Sequence, residues 1–94
     1  MVDDSRLVKF YVHRLTDRQR EIVEWAAQGM TNKAIGMKLF IAPSVVARHL
    51  TNIFGELATL EELKEVKPNR YVLIRVFAPF LDRHQELRRE ERAG

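Results

Sequence analysis

The sequence predicts an all-α fold, a small helical domain that ends in an extended C-terminal helix. Apolar residues recur every three or four positions through most of the chain, as they do in amphipathic helices. Residues that begin and end helices stand at the boundaries of these stretches, and we find neither an internal repeat nor a low-complexity linker. The 94 residues are enough for one domain with a modest core.

The composition limits the functions open to the chain. There is no cysteine, which excludes disulfides and thiolate metal sites. The 16 basic and 13 acidic residues give a net charge of +3, and no segment is a basic patch by composition alone. The longest apolar stretch, Tyr71 to Leu81, is too short to cross a bilayer. The start of the chain is acidic, unlike a signal peptide. We therefore expect a cytoplasmic protein that does not engage membranes.

Residues 1–14 are expected to form an N-terminal extension. Leu7, Phe10 and Tyr11 fit one face of a short helix that begins near residue 4 or 5. The stretch 7–12 also fits an extended segment. We expect the short helix, packed on the body of the domain.

Two helices are predicted in the first half of the chain. Thr16 and Gln19 give the T-x-x-Q pattern of a capping box, so the first helix begins after Thr16. Gly29 can adopt the left-handed conformation that ends it. Thr31 caps the second, shorter helix. Gly36, in the middle of that helix, costs roughly 1 kcal/mol in helix propensity and leaves room for close packing of the next helix.

A third helix is predicted to begin at Pro43, because proline suits the first helical position. One stripe of this helix is apolar and is expected to be buried: Val46, Leu50, Ile53 and Leu57. The opposite stripe is expected to point outward: Ser44, Ala47, Arg48, Thr51 and Asn52. A helix-turn-helix consists of two helices, and the second of the pair enters the DNA major groove. The helix that begins at Pro43 suits that role, because it is amphipathic and its outward residues are small.

Residues 58–94 are expected to form a C-terminal helical extension. Thr59 and Glu62 again give a capping-box pattern, which predicts a brief helix. Asn69 can cap a long final helix, which Pro79 should kink or break. The charged tail that follows is predicted to be a solvated helix that frays.

Three parts of the segment 15–57 share a pattern of apolar and polar residues with a known family. They are LTDRQREIV at 15–23, AQGMTNKAIG at 27–36, and LFIA and VARH between 39 and 49. With these motifs the segment resembles the LuxR/GerE-type helix-turn-helix family of bacterial DNA-binding domains, over about 43 residues without a gap. The resemblance implies a transcription regulator whose recognition helix is the one that begins at Pro43.

The resemblance also implies which residues contact DNA. The base-reading positions of the family fall on Ala47, Arg48 and Thr51. Only Arg48 among them is a strong reader, able to pair with guanine through two hydrogen bonds. The implied phosphate contacts are Lys33 and, more weakly, Thr31, Ser44 and Asn52. The alternative for Arg48 and Lys33 is that they are ordinary solvated cations.

The chain departs from the family pattern at positions that bear on DNA binding. Val45 and Ala47 stand where the family usually has a threonine and a lysine, and Ala42 replaces a serine cap. An extra segment, 58–66, also precedes the last helix, which is longer and richer in aromatic residues than that of the family.

The last helix has more apolar surface than a short helix needs in order to pack on its own domain. We therefore expect a homodimer or partner interface formed by Tyr71, Val76, Phe77, Phe80 and Leu81. The alternative is that this stripe packs entirely on residues 1–14.

Two hypotheses for the function follow. The first is a small transcription regulator that binds double-stranded DNA through its helix-turn-helix as a homodimer. The second is a protein-interaction module that uses the helix-turn-helix as a scaffold and docks on RNA polymerase or another transcription protein. A fold like sigma-factor region 4 is disfavoured by the QGMTNK run at 28–33. No phosphate loop, nucleophile motif or ligand spacing is present, so we expect no enzyme, no metal and no cofactor.

Overall fold

A computed structural model of the chain describes residues 3–88, which contain five α-helices and no β-strand. The helices are α1 (Ser5–Lys9), α2 (Asp17–Ala27), α3 (Asn32–Leu39), α4 (Pro43–Leu57) and α5 (Arg70–Arg83). A π-helical turn at Phe10–Arg14 continues α1, and 3₁₀ turns lie at Glu61–Leu63 and Gln85–Leu87. The predicted all-α fold is confirmed. Within the described range, no helix is long and apolar enough to cross a membrane.

The starts of α2 and α3 are set by the predicted capping side chains. Thr16 Oγ1 accepts from the backbone N–H of Gln19 at 3.1 Å, and Gln19 Oε1 accepts from the backbone N–H of Thr16 at 2.9 Å. Thr31 Oγ1 accepts from the N–H of Ala34 at 3.1 Å. Gly29 follows α2 with φ of 88°, the left-handed conformation for which it was predicted. These caps satisfy N–H groups that a helix start leaves without an intrahelical partner.

The starts of α4 and α5 differ in how they are capped. Pro43 is the first residue of α4, and Ala42 before it supplies no side-chain cap. Asn69 Oδ1 accepts from the N–H of Val72 at 2.9 Å and caps α5 as predicted. Helix α5 continues through Pro79. The predicted break there does not occur, because buried aromatic residues on both sides of the proline anchor the helix to the core.

Two predictions for the C-terminal extension are wrong. The hydroxyl of Thr59 donates back to the carbonyl of Glu56 at 2.6 Å, so Thr59 closes the end of α4 instead of capping a new helix. A single 3₁₀ turn with a buried leucine follows. The predicted helical tail is also wrong up to residue 88, since α5 ends at Arg83 and only a 3₁₀ turn follows. Residues 89–94 of that tail lie outside the described range.

The core is one cluster to which the N-terminal segment, α2, α4 and α5 all contribute. The apolar stripe predicted for α4 is confirmed, since each of its members is at most 4% exposed: Val46, Leu50, Ile53 and Leu57. Helix α2 packs between α4 and α5 and presents Ile22, Val23 and Ala26, which are fully buried. The position of α4 therefore depends on α2, and through α2 on α5.

Four aromatic rings join the N-terminal segment to α5. The ring centroid of Phe77 lies 6.2 Å from that of Phe10 and 5.9 Å from that of Tyr11. Phe80 contacts Tyr11 and Phe77 at 5.7 Å, the latter edge to face. All four rings are 3% exposed or less. The predicted partner surface is therefore wrong for Phe77, Phe80 and Leu81, because these side chains lie in the core of their own domain, with the N-terminal segment packed on the two phenylalanines.

Buried polar groups also tie the N-terminal segment to α2. The hydroxyl of Tyr11 donates to Glu24 Oε1 at 3.0 Å, and Glu24 is 1% exposed. The guanidinium of Arg20 donates to the carbonyl of Val12 at 2.7 Å and pairs with Asp17. A hydrogen bond to a buried carboxyl group is costly to remove, because water does not replace the lost partner.

The two ends of the described chain meet in an ion pair. Arg83 donates to Asp4 through Nε at 2.8 Å and Nη2 at 3.0 Å, and His84 Nε2 lies 2.7 Å from Asp4 Oδ2. The hydrogen bonds from Arg83 lower the pKa of Asp4 below its ordinary value of 3.8 and outweigh the opposing effect of desolvation. The pair holds the start of α1 against the end of α5.

We expect Tyr11→Phe to destabilise the domain by about 1–3 kcal/mol, because it removes a donor from the buried Glu24 carboxylate. The matched control is Tyr71→Phe, since Tyr71 is 64% exposed. The control should change the free energy of unfolding by less than about 0.5 kcal/mol. Urea unfolding followed by circular dichroism measures both. Equal effects of the two substitutions would contradict the role assigned to the Tyr11 hydroxyl.

We expect Asp4→Asn to lower the melting temperature at neutral pH, because the neutral amide loses the ion pair with Arg83. A carboxyl with a lowered folded pKa contributes stability above its unfolded pKa and loses that contribution as the pH falls through the folded pKa. The difference between wild type and variant should therefore shrink below about pH 4. Thermal unfolding across this range tests it, and a difference that is constant with pH would refute the assignment.

Candidate nucleic-acid interface

A three-residue turn joins α3 to α4 and sets their relative orientation. The N–H of Ile41 donates to the carbonyl of Gly36 at 3.0 Å. A methyl group at Gly36 would overlap the carbonyl oxygen of Ile41 and would lie 3.5 Å from the nitrogen of Pro43. The room that Gly36 was predicted to leave is therefore occupied by the backbone of the turn and the first residue of α4. This close approach gives α3 and α4 the arrangement of a helix-turn-helix.

The predicted outward face of α4 is present. Its exposed members are Ser44, Arg48, Thr51 and Asn52, while Ala47 is half-buried between them. With 15 residues the helix is about 22 Å long. Arg48 is the one charged side chain of this face, and the other members are short enough for the helix backbone to approach a second surface closely.

Lys33 lies beside the start of α4. It is the second residue of α3 and is exposed. Together with Ala42 and Pro43 it lines a shallow surface groove along the turn. Lys33 and the first turn of α4 therefore border the same surface, although they are separated by ten positions in the sequence.

Three of the five cations in the segment 15–57 are engaged within the domain. Arg18 and Arg20 pair with acidic residues of α2, and Lys38 lies 5.3 Å from the centroid of a tryptophan ring. Lys33 and Arg48 make no ion pair or side-chain hydrogen bond with any residue between 3 and 88. Both of them belong to the helix-turn-helix, so its surface keeps two unengaged positive charges.

The polar side chains predicted to contact DNA differ in the hydrogen bonds that they form within the domain. Thr31 Oγ1 accepts the capping hydrogen bond of α3. The hydroxyl of Thr51 donates to the carbonyl of Ala47 at 3.1 Å. Ser44 and Asn52 are exposed and form no side-chain hydrogen bond with the described part of the chain. Their donors are available to a ligand. The donor of Thr51 is engaged within its own helix, whereas Thr31 only accepts a bond and keeps its hydroxyl hydrogen as a donor.

Arg70 supports the site in a way that sequence reasoning missed. Its guanidinium donates to the carbonyl of Met30 at 2.9 Å and to the side-chain oxygen of Asn32. The first residue of α5 thereby holds the turn between α2 and α3. The partners lie 38 and 40 positions away in the sequence, so no local pattern could have indicated the contact.

The largest exposed apolar side chains of the helix-turn-helix lie at the turn. Phe40 is 94% exposed and Met37 is 71% exposed. Phe40 also has φ of 59°, a left-handed conformation that is uncommon for a residue other than glycine. Neither feature was predicted, because the spacing of apolar residues in α3 indicates only which of its side chains are buried.

Only part of the predicted dimer or partner surface of α5 remains outside the core. Tyr71 is 64% exposed, and the guanidinium of Arg75 lies 5.6 Å from its ring centroid. Val76 is half-buried against the core. Ile74 is also half-buried.

A close helix pair whose second helix presents short side chains and one arginine is the architecture of a helix-turn-helix DNA-binding domain. The chain belongs to the bacterial regulatory proteins of the luxR family, whose family model matches residues 13–62. This confirms the predicted resemblance. The family is one of transcription regulators and not an enzyme class.

The curated relatives are transcription regulators by name. The chain is 49% identical to the transcriptional regulatory protein LiaR of Bacillus subtilis over 43 residues, which are 46% of this chain and 20% of LiaR. It is 33% identical over 52 residues to Mb0914c of Mycobacterium bovis, named as an HTH-type transcriptional regulator, which covers 55% of this chain and 6% of that protein. The match thus spans only a small part of each relative. No solved structure gives a significant match to the chain.

We expect Phe40→Gly to stabilise the domain by about 0.5–1 kcal/mol. Glycine removes a left-handed penalty of roughly 1–2 kcal/mol but loses more backbone entropy on folding, roughly 0.5–1 kcal/mol. The exposed ring contributes little burial that could be lost. Phe40→Ala is the control, because it removes the ring and keeps the strained conformation. Chemical denaturation of both variants distinguishes the effects, and a less stable glycine variant would show that the ring packs on the domain.

Proposed function

We propose that this chain is a transcription regulator that binds double-stranded DNA in the bacterial cytoplasm by placing α4 in the major groove. The observation that carries the proposal is the pair of unengaged cations, Lys33 and Arg48, on the two helices of the helix-turn-helix. In this arrangement Arg48 pairs with a guanine edge, which is the commonest specific contact in the major groove. Lys33 binds a phosphate beside the start of α4.

The remaining contacts follow from the same orientation. Ser44 and Asn52 donate to phosphate oxygens, since their side chains are exposed and form no hydrogen bond within residues 3–88. Ala47 and Thr51 face the base edges on either side of Arg48. Thr31 can also donate its hydroxyl hydrogen to a phosphate, while its oxygen accepts the capping hydrogen bond of α3.

We propose further that the protein binds as a homodimer through the outer side of α5. Tyr71 is the large apolar side chain that this helix leaves exposed, and the half-buried Ile74 lies about one helical turn further along. Val76 is the other half-buried member of the predicted surface. Two copies related by a twofold axis would present their recognition helices to successive major grooves of a roughly palindromic site.

The alternative function, docking on RNA polymerase or another transcription protein through the last helix, has less support. The apolar residues Val45 and Ala47 at usual DNA-contact positions and the near-neutral charge of the segment 15–57 favour it. The aromatic residues through which it would dock, Phe77 and Phe80, are however buried in the core. Such a module would need a different surface, and the experiment below distinguishes it.

We expect Arg48→Ala to weaken binding to the preferred duplex by about 1–3 kcal/mol and to relax base preference at one position. Lys33→Ala should weaken binding to all duplexes alike. It should also reduce the slope of log affinity against log salt concentration by about one. Fluorescence anisotropy at low and moderate salt measures both, and light scattering on the same samples gives the oligomeric state.

Lys64→Ala is the matched control, because Lys64 is an exposed lysine directly after the 3₁₀ turn that follows the far end of α4. It should bind as the wild type does. If the folded wild-type protein binds no duplex at low salt, direct DNA recognition is wrong and the docking function is favoured. If light scattering shows a monomer on DNA, the homodimer is wrong and DNA recognition stands.

A further inference from the structure

The side of α4 proposed to face the bases carries methyl groups at positions where a polar side chain usually contacts the base edges. Ala47 ends in its Cβ methyl group, and Thr51 lies one helical turn further along the same face. Arg48, between them, is the only charged side chain of the face. The face therefore combines one strong hydrogen-bond donor with two small apolar contacts.

The hydroxyl of Thr51 does not serve as an outward donor. It donates to the carbonyl of Ala47 at 3.1 Å, a bond within the same helix. The other group of this exposed side chain is its γ-methyl. Thr51 thus resembles Ala47 in what it offers to a ligand, and the internal bond holds the side chain in one orientation.

Only one base presents a methyl group in the major groove. Thymine carries it at C5, and alanine and threonine methyl groups make the apolar contacts that recognise it. Residues four apart on one helix face have Cβ atoms about 6 Å apart, and successive base pairs rise by about 3.4 Å. Ala47 and Thr51 can therefore contact thymines about two base pairs apart.

We propose that α4 recognises thymine methyl groups next to a guanine, with Ala47 and Thr51 contacting the methyl groups and Arg48 the guanine. This inference rests on the proposed function, because it assigns the base preference of the same helix. The inference goes beyond the proposed function, since a protein that binds DNA only through phosphates and Arg48 would not distinguish thymine from uracil.

The test removes one methyl group at a time from the DNA and from the protein. The full chain first selects its preferred duplex from a random pool. Each thymine of that duplex is then replaced by deoxyuridine, which differs only by the C5 methyl group, and the dissociation constants are measured by anisotropy. We expect thymines beside the selected guanine, and about fourfold weaker binding for each contacted methyl group lost.

Two variants at position 51 separate the methyl group from the hydroxyl. Thr51→Ser keeps the hydroxyl and removes the methyl group, so the ratio of the uracil and thymine dissociation constants should fall to about one at one thymine. Thr51→Val keeps a methyl group and removes the hydroxyl, so that ratio should stay well above one. Circular dichroism checks that both variants remain helical.

Each failure has its own signature. Binding without base selection, or a selected duplex whose uracil and thymine forms bind alike, would overturn the inference and leave DNA binding intact. Loss of thymine discrimination in Thr51→Val with retention in Thr51→Ser would also overturn it, because the hydroxyl would then be the reader. If no duplex binds at low salt, the proposed function fails and the inference fails with it.

Discussion

The packing of four aromatic rings between the N-terminal segment and α5 is the constraint on which the remainder of this domain depends. Phe10 and Tyr11 pack on Phe77 and Phe80 and close the core on this side. The helix that they anchor begins with Arg70, which holds the turn before α3. Helices α2 and α4 pack on the same core. The orientation of α4 is therefore set by residues outside the helix-turn-helix as well as within it.

The electrostatics of the domain depend on pairing more than on net charge. The chain carries a charge of only +3, a small excess for a protein proposed to bind a polyanion. In addition, several arginines are already engaged within the fold. Arg20 donates to backbone carbonyls, and Arg83 pairs with Asp4. What distinguishes Lys33 and Arg48 is that the described chain leaves both of them free on the helix-turn-helix. Attraction of DNA by so few charges would rely on geometry and on low ionic strength.

Sequence reasoning predicted most of the helix caps and was wrong about remote packing. The caps at Thr16, Thr31 and Asn69 were predicted correctly, because a cap involves residues within three positions. The same kind of pattern failed at Thr59, whose hydroxyl bonds back to the end of α4. The apolar stripe of α5 was visible in the sequence, but the period of a helix does not say what covers its apolar face. Phe77 and Phe80 were thus assigned to a partner when the N-terminal segment covers them. Arg70 escaped prediction for the same reason, since its partners are distant in the chain.

The outward face of α4 has a consequence for how such a domain can diverge. Its exposed side chains contribute little to the core, and the one hydrogen bond among them, from Thr51 to Ala47, stays within the helix. Substitutions at such positions usually change stability by no more than about 0.5 kcal/mol. The chain can therefore exchange its target sequence for another while the scaffold stays the same. Evolution or a designer can recode the recognition of this domain almost independently of its folding.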